Sequence, residues 1–154
     1  MKKILILANI LVFNSVLMAG KLPIKNQDVS PAQLEKQNKE IVKLVAAEEN
    51  KTLPQKIDKY TKAISVKSKD TSLIYTFEIN TGVKSDDAII KEDHSRMEKA
   101  IIKGVCKRSR RFMNAKITKI YRYISAISKR ELFQVSVDQA KCIQAYGVEY
   151  NLEQ

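Results

Sequence analysis

The rhythm of apolar residues along this chain passes from an unbroken run, to helical spacing, to strict alternation, and then repeats the last two. The unbroken run is residues 4–18, interrupted only by Asn9 and Asn14. Lys2 and Lys3 precede it and the small residues Ala19 and Gly20 follow, which is the layout of a secretory leader with its cleavage point. A membrane-spanning helix needs roughly 20 apolar residues, so the run is expected to be a signal peptide, residues 1–20, and not a retained anchor. No Cys follows it to take a lipid. Residues 21–29 are mostly polar and are expected to form a flexible tether.

Ser30 is a good N-cap, Pro31 suits the first helical position, and Gln33 stands where a capping box wants Glu or Gln. Leu34, Ile41, Leu44 and Val45 recur at helical spacing, which predicts a helix to about Asn50 docked through that stripe. Its mixed charges and the lack of aromatics favour docking on its own domain over lying on a membrane. Leu53 and Pro54 end it, and a turn or helical corner leads to Tyr60. Ile64 and Val66 then alternate with polar neighbours, Asp70 falls in a turn, and Leu73, Tyr75, Phe77 and Ile79 alternate again, which is the pattern of a hairpin.

The second half repeats the order. Gly82 breaks the strand, Ser85 to Asp87 open a helical turn, and Ile89, Ile90, Met97, Ile101 and Val105 predict a main helix over about 93–107. A helical turn over 109–114 carries Phe112 and Met113. From Ile117 the period is two, with Tyr121 and Tyr123 on one face and Ile120, Arg122 and Ile124 on the other. Phe133, Val135 and Val137 make the partner strand, with Cys142 at its end. The tail from Ile143 adds an extended piece at Tyr146, Val148 and Tyr150, or is loose. The expected fold is α+β: a single domain over 30–154, an antiparallel sheet of four or so strands with helices on one face, in the order helix, hairpin, helix, hairpin.

Without the leader about 134 residues remain, one ordinary domain with enough chain for a core. An exported chain meets an oxidising compartment, so the two cysteines, Cys106 and Cys142, are read as one disulfide. A redox pair or a metal site has no support, since there is no C-x-x-C and a single His. The chain resembles a loose group of small exported bacterial proteins of unassigned function. The resemblance is carried by Leu53, Pro54 and Asp58, Tyr75 and Phe77, Cys106, Tyr121 and Tyr123, and Cys142. It implies the same fold and disulfide, and no activity.

Charge changes the picture most. Residues 99–130 hold eleven of the 28 Lys and Arg and none of the 17 Asp and Glu. Lys103, Lys107, Arg108, Arg110, Arg111, Lys116, Lys119 and Arg122 are the candidate binding residues, the arginines because a guanidinium pairs bidentately with carboxylate or phosphate. Catalytic candidates are sparse. Asp93 beside His94 could be half of a base and orienter pair, and Glu92, Asp93 and Glu98 could be drawn as paired carboxylates, but lysines and arginines flank them and no nucleophile completes the set. No phosphate loop, metal-ligand spacing or cofactor motif is present in the sequence. The expectation is a non-enzymatic periplasmic interaction module without cofactor or small-molecule substrate. It would bind an acidic envelope or secreted protein through its basic side, as an inhibitor or immunity-type protein or as an accessory of a secretion machine. The alternative is a binder of polyanions: lipid headgroups, acidic glycans, or nucleic acid in transit, with Tyr121 and Tyr123 stacking on bases.

Overall fold

The computed structural model describes residues 29–151; the expected leader and most of the tether lie outside them. Helix α1 (Pro31–Asn50) starts as its sequence dictates, with a reciprocal capping box between Ser30 and Gln33. A two-residue strand β1 (Gln55–Lys56) follows, then β2 (Thr61–Lys69) and β3 (Ser72–Ile79), joined by a turn in which Asp70 takes φ 51°. The peptide bond between Leu53 and Pro54 is cis. Helices α2 (Asp86–Ile90), α3 (Ser95–Arg108) and α4 (Arg110–Asn114) cross over to β4 (Thr118–Ser125) and β5 (Glu131–Val137). Helix α5 (Gln139–Tyr146) and one 3-10 turn (Val148–Asn151) close the described chain.

The five strands form one sheet in chain order, β1-β2-β3-β4-β5. All neighbours are antiparallel except β3 and β4, which run parallel because a helical crossover, and not a hairpin, connects them. Strand alternation puts Leu73, Tyr75 and Phe77 of β3 level with Lys119, Tyr121 and Tyr123 of β4, and these with Val137, Val135 and Phe133 of β5. All of these share one face. On it α1 packs Val42 and Ala46 against Val66, Leu73 and Ile117, and α3 and α5 pack Val105, Cys106 and Cys142 against Val135 and Val137. Phe112 of α4 touches both clusters and joins them.

Three expectations change. The buried face of α1 is Asn38, Val42 and Ala46, whereas Leu34, Ile41 and Leu44 are exposed, Leu44 by 70%. Asn38 goes inside because its amide donates to the Ala115 carbonyl at 2.6 Å, and Ala46 is small enough to let the helix approach the sheet. The corner after Pro54 contains β1. Its turn into β2 is held by Asp58, whose carboxylate accepts from the backbone of Tyr60 and Thr61; those two bonds hold its pKa below the usual Asp value. The tail is helical: Asp138 caps α5 by accepting from Lys141 N, and Tyr150 is buried, its hydroxyl donating to the Cys106 carbonyl at 2.8 Å. The Cys106–Cys142 disulfide is present, and it ties α5 to α3 instead of a strand end to a helix.

Candidate functional site

Between α1, which covers β2 and β3, and α3, which covers β5, the sheet carries a row of rings. Tyr75, Phe77, Tyr121, Tyr123 and Phe133 project from three strands onto this face, and His94, just before α3, closes the row. Neighbouring rings stack: His94 on Phe133 at 4.0 Å between centroids, Phe133 on Tyr123 at 4.5 Å, Tyr123 on Phe77 at 5.1 Å, Phe77 on Tyr121 at 6.0 Å and Tyr121 on Tyr75 at 5.1 Å. Tyr75 and Tyr121 lean on the two core clusters. Phe77, Tyr123 and Phe133 belong to neither and stay half-buried. Opposite Phe77 on β2 stands Ala63, too small to continue the row. There the row opens into a cavity of about 370 Å³ lined by Leu53, Ile57, Val66, Tyr75, Phe77 and Tyr121, among others.

Charges sit at the margins of this groove. Glu49, at the end of α1, accepts a hydrogen bond from the Tyr75 hydroxyl at 3.3 Å. Arg108 folds back along α3 over Gly104, which has no side chain to obstruct it, and its charge reaches both Tyr121 and Lys119. Lys119 is only 9% exposed. Its ammonium donates to Ser109 Oγ at 3.1 Å and lies over the rings of Phe112 and Tyr75 at 4.8 and 5.4 Å. Burial lowers its pKa from the ordinary lysine value, Glu49 acting the other way. Burial likewise pushes the Tyr121 hydroxyl up to about 12 and raises those of Tyr75 and Tyr123.

These shifts predict the alkaline limb of stability. A tyrosine whose folded pKa is raised stabilises the fold fully below its unfolded value near 10, and that stabilisation is lost as pH rises through the folded value. Lys119 has the opposite sign: its charge penalty fades as pH climbs to its ordinary 10.5. The two trends offset each other up to about pH 10.5, and above it only the tyrosines act. Denaturant unfolding is expected to lose about 2 kcal/mol for Tyr121, less its partial exposure, between about pH 10.5 and 12. Tyr121→Phe should flatten that slope; an unchanged slope would remove Tyr121 as the cause.

The eight predicted basic residues do not form one surface. Lys103, Lys107, Arg108, Arg111 and Lys116 are exposed, and Arg110 is half-buried with its guanidinium over the Tyr150 ring at 4.8 Å. Lys119 turns inward under Phe112, and Arg122 points to the opposite sheet face, 3.2 Å from Glu131. The end of the basic window is neutralised too, since Lys129 pairs with Glu78 and Arg130 with Asp87. What persists is a ridge on α3 and α4: Lys99, Lys103, Lys107, Arg108 and Arg111 form no salt bridge among the described residues.

The catalytic constellations come apart. The Asp93 carboxylate accepts from the backbone and hydroxyl of Ser95, while the His94 ring turns to Phe133 and to the Ile89 carbonyl, so the two do not converge. Glu92 pairs with Lys84 and Glu98 with Lys141. No group of three or more His, Cys, Asp or Glu that could hold a metal is found among the described residues, and no described helix is long and apolar enough to cross a membrane.

No protein-family model matches the sequence, and no curated protein does. The fold does have solved counterparts. A Pseudomonas aeruginosa protein assigned as secreted aligns over 71% of this chain and 96% of its own, with TM-score 0.63 and 13% identity. EpsS, a pilotin of the Vibrio vulnificus type 2 secretion system, aligns over 72% and 96%, with TM-score 0.59 and 14% identity. AspS, a type II secretion system pilotin of Vibrio cholerae, aligns over 72% and 97%, with TM-score 0.56 and 12% identity. At these identities the likeness is one of fold.

Proposed function

We propose that this chain is an exported, periplasmic accessory protein of an envelope secretion machine. It binds another protein and catalyses nothing. The observation that carries the reading is the aromatic row: Phe77, Tyr123 and Phe133 stand outside both core clusters, half-buried, between two helices, with the Arg108 charge at its margin. Rigid aromatic rings in a concave site are what protein partners anchor on, and cations at the rim raise the encounter rate and fix orientation more than they add affinity. The segment such a site fits is acidic, with apolar anchors spaced to reach the rings. The fold likeness to two secretion pilotins supports the accessory role over an inhibitor or immunity role, which the same surface could serve.

The test is site-specific. A photo-crosslinker placed at Phe133 is expected to trap a discrete envelope protein, and one at Gln134, on the opposite sheet face, is not. Tyr123→Ala should weaken capture of that protein about tenfold or more. An Arg108, Arg110, Arg111 triple change to Glu should slow association while leaving residual affinity at about 150 mM salt. Equal crosslinking from both positions would sink the groove as the binding site.

A further inference from the structure

We propose that the outer side of α3 and α5, turned away from the aromatic groove, docks on an anionic lipid bilayer. Lys99, Lys103 and Lys107 are spaced four residues apart, so they form one line along α3. None is in a salt bridge among the described residues. Beside this line the C-terminal segment exposes apolar surface: Tyr146 is 46% and Val148 75% exposed. The two are contiguous, because the Tyr146 hydroxyl donates to the Lys103 carbonyl at 3.1 Å. At the far end Arg110 lies over Tyr150, which anchors the turn bearing Val148 to the core.

Between α3 and α5 runs a groove of about 360 Å³ whose lining includes Ile102, Ala145, Lys99, Lys103 and Lys141. Its one carboxylate, Glu98, is held by Lys141 at 2.9 Å. Two further carboxylates lie close by, Glu149 next to Val148 and Asp93 within electrostatic reach of Lys99, and the lysine line outnumbers them.

Charge complementarity selects the occupant. Flexible lysines suit a diffuse field of headgroups, and their aliphatic stems can lie along apolar surface while the ammonium stays wet. A tyrosine and a valine exposed at the same level match the boundary between headgroups and acyl chains. A nucleic-acid backbone would leave Val148 without a counterpart, and a protein interface would want a packed apolar centre, which the row of lysines does not supply. Because Gly104 and Arg108 face the groove side of α3, the protein could rest on a leaflet and hold its partner at once.

The experiment is vesicle co-sedimentation of the purified protein with phosphatidylcholine vesicles and with vesicles containing about 30% phosphatidylglycerol. Binding is expected to the anionic vesicles alone and to weaken with salt. The triple change Lys99→Gln, Lys103→Gln, Lys107→Gln should lower partitioning on the order of a hundredfold, since each basic residue near an anionic leaflet contributes about fivefold. Its melting curve serves as the folding control. As a second readout Val148→Trp introduces the chain's single indole, whose emission should shift to the blue on anionic vesicles and be quenched by brominated lipid. Tyr123→Ala should leave vesicle binding intact, which separates this proposal from the groove reading. Equal binding to neutral vesicles, an undiminished triple variant, or capture of heparin or an acidic protein with no shift of the indole on vesicles would each overturn it.

Discussion

Cys142→Ser is expected to destabilise the oxidised protein by roughly 4 kcal/mol, the chain-entropy value for a bridge across 36 residues. For a domain of this size that moves the melting temperature down on the order of 15 °C. Both cysteines are fully buried, packed with Val105, Met113, Val135 and Val137, so a serine hydroxyl there adds a desolvation cost. The Cys106, Cys142 double change to Ala separates the two contributions: it removes the bridge without burying a hydroxyl and should recover part of the loss. The bridge also has a local consequence. It holds α5 against α3, and Tyr150 reaches the Cys106 carbonyl from the turn that follows α5. Without it, hydrogen exchange should rise first in 139–151, the segment that the bridge pins to α3. A melting temperature unchanged from wild type under non-reducing conditions would refute the stabilising role.

Much of this architecture was legible because local signals and tertiary demands agree. The Ser30 capping box, the alternating strands around Asp70 and the Tyr121 and Tyr123 pair each sit where their own residues place them. Where the reading failed, a distant partner decided. Asn38 displaces Leu34 and Ile41 from the buried face of α1 because Ala115, far along the chain, offers a carbonyl. Helix α5 was hidden because Tyr146, Val148 and Tyr150 imitate alternation.

The candidate site was half legible. The same alternation that puts Tyr121 and Tyr123 on one face puts Lys119 with them and Arg122 opposite, so the division of the basic residues was readable from the strand itself. The stacking of Phe77, Tyr123, Phe133 and His94 was not, because it depends on the parallel register of β3 and β4 and on a crossover that returns His94 to β5.

Asn50→Ala is expected to cost about 3 kcal/mol, an effect out of proportion to a half-exposed polar residue at a helix end. The reason is the free edge of β2. Strand β1 is two residues long and pairs only with Lys62 and Ala63, which leaves the edge beyond it without a neighbouring strand. Asn50 fills the gap with its side chain: the carboxamide donates to the Val66 carbonyl at 2.5 Å and accepts from the Val66 N–H at 3.0 Å, as a passing peptide group would. It also donates to the Ala46 carbonyl at 2.7 Å. Val66 is buried, so the truncation strands two main-chain groups away from water, and about 1 kcal/mol per lost bond is a modest reckoning. The edge it uncovers is a template for another strand. The variant should therefore both unfold at lower denaturant and form higher-order species on size exclusion. Asn50→Asp keeps the acceptor for the Val66 N–H but turns a carboxylate oxygen toward the Ala46 and Val66 carbonyls, so it should lose at least as much as Ala at neutral pH. A loss under about 0.5 kcal/mol for Asn50→Ala would mean that the edge is protected by something other than this amide.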